Sequence, residues 1–240
     1  MTLSTLLPHL QPFSRSLHPE VIRHLGTRYN SAGMFLPEPG NTIVCHLDPG
    51  SHTETFLHDV RRRYSAMPGG DRLAFTAASS LHMTLFQGII EYRRFLPYWP
   101  EDVPLETPID DMTAIFLDRL AGFQPGPVFQ MEVVEATPNG LTLDGVSDGD
   151  RAALRSWRDR LADLLGYRHP DHDTYAFHIT FAYLTERFDD EEILAWQPFL
   201  EAVVQEIRQR APVIALRPPA FCRFADMNHF EELMVFEPVA

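Results

Sequence analysis

Two short stretches of the chain repeat one pattern, a histidine, an apolar residue, a threonine and another apolar residue. The first is His82-Met83-Thr84-Leu85 within "SSLHMTLFQG", and the second is His178-Ile179-Thr180-Phe181 within "YAFHITFAYL", 96 residues later. Successive side chains of a strand point to opposite faces, so each stretch offers an imidazole and a hydroxyl together and turns its apolar residues the other way. Such a pair can move protons near neutral pH, because histidine titrates close to 6.5. With 11 His and 15 Thr in 240 residues, His-x-Thr should arise by chance ~0.7 times, and with both intervening residues apolar roughly 0.14 times. A third His-x-Thr, His172-Asp173-Thr174, lacks the apolar spacing and shows what chance produces.

The elements that must position these residues follow from periodicity and punctuation. Residues 1–40 form an N-terminal extension, with a helical segment expected over His18–Tyr29 and a loop rich in Gly and Pro after it. "NTIVCHL" (Asn41–Leu47) has strand composition, and Phe56, Leu57, Val60 and Tyr64 share one stripe of a helix over Glu54–Tyr64. After the first His-x-Thr strand, a proline-punctuated connection (Tyr98–Pro108) leads to a helix over Asp110–Phe123. A hairpin follows, whose turn is expected to take positive φ angles from Asn139-Gly140. The next helix carries Leu154, Trp157, Leu161 and Leu164 on its apolar stripe, is capped by Asp148 or Asp150, and stops at Gly166. The second His-x-Thr strand, a helix over about 191–210 and a closing pair of strands complete the chain. The order strand, helix, His-x-Thr strand, connection, helix and hairpin recurs, which suggests an internal duplication with a pseudo-twofold. The expected organisation is one bilobal domain over 1–240, its halves at about 41–105 and 106–240.

Composition narrows the function classes. No apolar run is long enough to span a membrane and no secretory leader is legible, so a cytoplasmic protein is expected. Cys45 and Cys222 are isolated and read as buried thiols. All 20 basic side chains are Arg, which excludes a P-loop lysine or a lysine nucleophile within this sequence. The net charge of −13 disfavours a long nucleic acid, which is gripped through a basic surface.

Two such strands about a hundred residues apart, one in each half of a duplicated α+β chain, resemble the two-histidine (2H) phosphoesterase superfamily, which includes LigT-like RNA 2′-phosphodiesterases and cyclic nucleotide phosphodiesterases. "PGNTIVCH", "SSLHMT", "HDTYAFHITFAY" and "FADMNHF" are most similar to an uncharacterised bacterial and fungal branch. The resemblance covers roughly residues 40–238. It implies a bilobal α+β fold with two antiparallel sheets lining a central groove and helices outside. It places His82 and His178 as the catalytic pair and Thr84 and Thr180 as the phosphate-binding hydroxyls. One neutral imidazole would take a proton from the attacking water or ribose hydroxyl while the other, protonated, donates to the leaving oxygen. The hydroxyls would hold the nonbridging oxygens. Which histidine plays which part is left open by the pseudo-symmetry.

The expected substrate is therefore a small cyclic phosphate or 2′-linked nucleotide, or a short RNA end, handled by a monomer with no metal and no other cofactor. A phosphate sensor that turns nothing over, and a 2′-5′ ligase using the same groups in reverse, are the alternatives. Phe86, on the expected face of His82 and Thr84, is the candidate base-stacking wall, and Tyr175 is placed to stack or to reach a phosphate. In "HPDHD", His169, His172 and Asp173 are ligand types without the spacing of a zinc helix, so a metal is not expected there. Arg61, Arg62 and Arg63 read as a solvated helix face.

Overall fold

The computed structural model describes residues 3–237. Among these residues, nine strands and four α-helices make a mixed α+β fold. The elements run β1 (Gly40–His46), α1 (His52–Ser65), β2 (Leu73–Phe75), β3 (His82–Phe86), α2 (Ile109–Leu120), β4 (Met131–Thr137) and β5 (Gly140–Gly145). They continue with α3 (Asp148–Leu165), β6 (Phe177–Thr180), β7 (Ala182–Leu184), α4 (Asp190–Arg210), β8 (Ala220–Phe224) and β9 (Glu231–Val235). Seven strands form one antiparallel sheet in the order β4-β5-β6-β3-β1-β8-β9, and β2 pairs with β7 in a small second sheet.

The pseudo-twofold passes between β3 and β6, the two His-x-Thr strands, which lie side by side with Met83 opposite Ile179. On either side the order mirrors: β1 beside β3 and β5 beside β6, then β8 beside β1 and β4 beside β5. The β3–β1 side thus takes its third strand, β8, from the end of the chain, whereas β4, β5 and β6 all come from the second half. The two expected antiparallel sheets are fused through the β3–β6 pair into one.

The core lies under the face opposite the His-x-Thr hydroxyls. Met83 and Ile179 are fully buried there with Leu85 and Phe177, under side chains of α2 and α3 that include Phe116 and Leu161. In α1, Phe56, Leu57, Val60 and Tyr64 are buried as one stripe, and Ser51 accepts from the Glu54 amide at its start. α3 begins one residue earlier than its acidic run suggests. Ser147 is the cap and Asp150 closes a capping box with it. Leu165, not Leu164, completes the α3 stripe. The β4–β5 turn also differs from expectation, since only Gly140 has positive φ (146°) and the turn residues are Pro138 and Asn139. Both cysteines are free and buried, and burial pushes the Cys222 thiol up to about 12.

The N-terminal extension departs most from the sequence-based expectation. His18–Tyr29 is not a helix but a chain of turns, with positive φ at His24 (69°) and Gly26 (85°). Pro19 and Gly26 weaken helical propensity, and distant contacts decide the path. Tyr29 donates its hydroxyl to the Leu184 carbonyl at 2.9 Å, Arg28 pairs with the buried Glu38, and Arg187 holds the Pro12 and Glu20 carbonyls. The short 3-10 helix Pro8–Phe13 packs on α4, and the extension then crosses to β8, where the Glu38 amide bonds Ala225. No helix among the described residues is long and apolar enough to cross a membrane.

Candidate active site

The β3–β6 register brings the four His-x-Thr side chains together. With Met83 opposite Ile179 in an antiparallel pair, His82 stands beside Thr180 and Thr84 beside His178. The two histidines are diagonal neighbours, a relation that sets α-carbons about 7–8 Å apart, and the threonines occupy the other diagonal. All four line one cavity of about 630 Å³.

Backbone carbonyls orient both rings in the same way. His82 Nδ1 donates to the Ser80 carbonyl at 2.6 Å, and His178 Nδ1 donates to the Ala176 carbonyl at 3.0 Å. Because a carbonyl can only accept, Nδ1 carries the proton in each ring and Nε2 is left for the groove. The tautomer of each is thus set by the residue two positions earlier in its own chain.

The two imidazoles differ in surroundings. His82 is half-buried, with the Phe230 ring 4.2 Å away and the His46 ring at 5.9 Å, whereas His178 is exposed. Burial first, then repulsion from His46 and His178 against a bond to the Ser80 carbonyl, pushes His82 down to about 3. His46, its neighbour across β1–β3, is lowered mainly by burial and lies 3.8 Å from Glu232. Tyr175 reaches the site, since it lines the same cavity as Thr84 and its ring lies 5.9 Å from that of His178. Behind it, the buried Arg158 stacks at 4.3 Å on Tyr175 and donates to the Leu85 and His172 carbonyls, tying β3 to the segment before β6.

Phe86 is not part of the groove. A bulge in the β1–β3 ladder pairs Val44 with Thr84 but Ile43 with Phe86, so Leu85 is the extra residue and the alternation is broken. Phe86 therefore turns into the core, where it packs on Tyr167 at 5.5 Å. The aromatic wall comes instead from Phe224 and Phe230 of the closing hairpin and Tyr183 of β7, with Met227 between them. In the sequence, Phe224, Met227 and Phe230 lie in "FADMNHF" and Tyr183 ends "HDTYAFHITFAY".

The wall built by the extension was also illegible in advance. Arg23, His24 and Arg28 line the cavity with Arg93 and Arg187, and among the described residues no Asp or Glu lines it. A chain with net charge −13 thus keeps one groove free of carboxylates. The loop histidines lie elsewhere. Asp159, His172 and Asp173 have donor atoms within 4.8 Å of one another, but Arg168 already bonds Asp159 at 2.8 Å and lies 3.7 Å from Asp173, and His169 is not one of the group. Of the arginine run, Arg62 pairs with Asp59 and Arg63 with Glu206, while Arg61 bonds the Thr76 carbonyl.

Burial holds three histidines well below the range of a free imidazole. His82, His24 and His169 are each pushed down to about 3, His24 also by Arg28, Arg23 and Arg93, and the buried His169 has neither ring nitrogen partnered among the described residues. Unfolded imidazoles titrate near 6.5, so below that pH the unfolded chain binds more protons and folded stability falls as pH falls toward about 3. Urea midpoints should drop between about pH 7.5 and pH 5, and less so for His169→Phe. A midpoint constant over that interval would contradict the burial of these rings.

Comparison with known proteins agrees with this architecture. A family model named 2H-phosphodiest, described as a domain of unknown function (DUF1868), matches residues 28–142. The crystal structure of a conserved protein of unknown function, ATU0111 from Agrobacterium tumefaciens str. C58, is 50% identical, with a TM-score of 0.95 over 97% of this chain and all of that one. No curated protein matches. The 2H family model, which matches from Arg28 into β5 and so takes in the first of the two histidine-threonine strands that pair across the pseudo-twofold, places this protein in the 2H phosphoesterase superfamily.

Proposed function

We propose that this protein is a phosphodiesterase acting on a small cyclic phosphate or 2′-linked nucleotide, with His82 as general base and His178 as general acid. The observation that carries this reading is the square of His82, Thr180, Thr84 and His178 on one face, with both Nε2 atoms left for the groove. Neutral His82 takes a proton from water as its oxygen attacks phosphorus. Protonated His178 delivers a proton to the leaving oxygen as the P–O bond breaks, so the histidines end with their protonation states exchanged. Burial beside Phe230 keeps His82 in the neutral form that a base requires, and exposure leaves His178 free to regain its proton from solvent.

The threonine hydroxyls are placed to hold the nonbridging oxygens, where charge concentrates. The carboxylate-free lining suits an anionic substrate and offers no oxygen cage of the kind magnesium needs. The test is turnover of 2′,3′-cyclic nucleotides, 3′,5′-cyclic nucleotides, ADP-ribose 1″,2″-cyclic phosphate and 2′-5′ dinucleotides, with and without EDTA. Hydrolysis of at least one of these that survives EDTA is expected. Tight binding without turnover across the set would identify a sensor, and activity lost in EDTA and restored by zinc or manganese would overturn the two-histidine mechanism.

Thr84→Val and Thr180→Val should each lower kcat/KM about tenfold, the cost of one hydrogen bond to a charged oxygen. Thr84→Val should be the more harmful, because Tyr175 lines the cavity with Thr84 and loses a polar neighbour as well. Steady-state kinetics with Tyr175→Phe measures that second component separately. Equal effects of the two threonine changes would remove Tyr175 from the site.

A further inference from the structure

The groove is larger and more basic than one phosphodiester requires. Its histidine square occupies the β3–β6 junction, while a separate wall carries Arg23, His24, Arg28 and Arg93. We propose that these four residues form a second anion subsite, built largely by the N-terminal extension, which binds a phosphate of the substrate other than the one held between His82 and His178. The substrate class is then a nucleotide with two separate phosphate groups. The proposal rests on the phosphodiesterase reading for the identity of the first phosphate only.

Available donors support it. Arg23 has no hydrogen-bond or ion-pair partner for its guanidinium among the described residues, although it lines the cavity. Arg93 gives one long bond (3.3 Å) to the Gly88 carbonyl, its Nε is buried without a partner among the described residues, and its guanidinium lies over the Tyr98 ring at 4.7 Å. Arg28 is the anchored member, held by Glu38 on one side and 3.4 Å from the Tyr183 hydroxyl on the other. Glu38 is 1% exposed and does not line the cavity, so its charge serves Arg28 alone. His24 feels all three guanidinium groups and occupies the left-handed region, where a non-glycine residue is uncommon. Like charges gathered in one hollow repel one another, and a bound phosphate would relieve this while taking bidentate bonds from arginine. Arg187 lines the same cavity, but its bonds to the Pro12 and Glu20 carbonyls make it the strap that holds the extension in place.

The test compares adenosine 2′-monophosphate with adenosine 2′,5′-bisphosphate by calorimetry, a readout that needs no turnover. The bisphosphate should bind about tenfold to a hundredfold more tightly, as one added phosphate held by charged donors implies. That advantage should fall below about threefold in Arg23→Gln and in Arg93→Gln, and persist in His178→Ala and in the distant Arg168→Gln. Arg23 has no structural partner to lose, so its variant should keep the melting temperature of the parent. No bisphosphate advantage in the parent, an advantage that survives both arginine changes, or failure of either nucleotide to bind would each overturn the subsite. An arginine-dependent advantage in a protein that hydrolyses none of the cyclic phosphates would keep the subsite and discard the phosphodiesterase reading.

Discussion

Replacing His82 or His178 by alanine should lower kcat on a cyclic phosphate by about 10²–10⁴-fold, the usual worth of a positioned acid or base. Both rings sit on strands whose neighbouring residues are buried, and each is oriented by a carbonyl two residues back. Removing either ring leaves the partner and the threonines in place, so KM should change far less than kcat. The two variants should part company with a nitrophenyl phosphodiester, whose leaving group departs without a proton. His178→Ala should then recover to within about tenfold of the parent, while His82→Ala stays inactive because water still has to be deprotonated. Recovery of His82→Ala alone would reverse the assigned roles. Equal losses on both substrates would remove the division into acid and base. His82→Gln, which fills the space beside Phe230, separates loss of the base from collapse of the pocket.

What was legible in the sequence was what depends on near neighbours. The two-residue period put each imidazole with its hydroxyl, and the repeated order of elements implied that the two strands face a common axis. Helix stripes such as Phe56, Leu57, Val60 and Tyr64 depend on periodicity within a single turn or two. The larger misses depend on partners far along the chain. Phe86 leaves the groove because β1 pairs with β3 out of step at Ile43 and Val44, a fact about two strands and not about either one. His18–Tyr29 gives up a helix because Leu184 and Glu38 hold its side chains. The basic wall assembles only when that extension meets Arg93, which explains why an acidic chain gave no sign of it. Long-range repulsion from the acidic surface is screened beyond about 8–10 Å at ordinary salt. A small anion inside the groove is therefore governed by the local arginines.

Gly140→Ala should damage both the stability and the geometry of the site with a single methyl. Gly140 opens β5 directly opposite Thr180 and has φ of 146°, a backbone region that side chains rarely adopt. An added Cβ would penetrate the Ile179 carbonyl oxygen and lie 3.0 Å from the Phe181 nitrogen. Both contacts are to backbone, one in the strand that carries His178 and one just after it, so neither can be relieved by a side-chain rotation. The strand must shift or β5 must unwind from positive φ, and the combined cost should be about 3–5 kcal/mol. For a chain of this size that corresponds to a melting temperature lower by about 10 °C. Because Ile179 is the residue that joins the two halves through Met83, a displaced β6 also separates the two imidazoles. kcat should consequently fall by about tenfold or more even at temperatures where the variant is fully folded. Gly122→Ala provides the control, since its Cβ would enter open space and its φ is not left-handed, and its stability should stay within about 1 kcal/mol of the parent. A Gly140→Ala protein with unchanged melting temperature and unchanged kcat would mean that β5 does not lie against β6 at Ile179, and the square built on that pairing would lose its support.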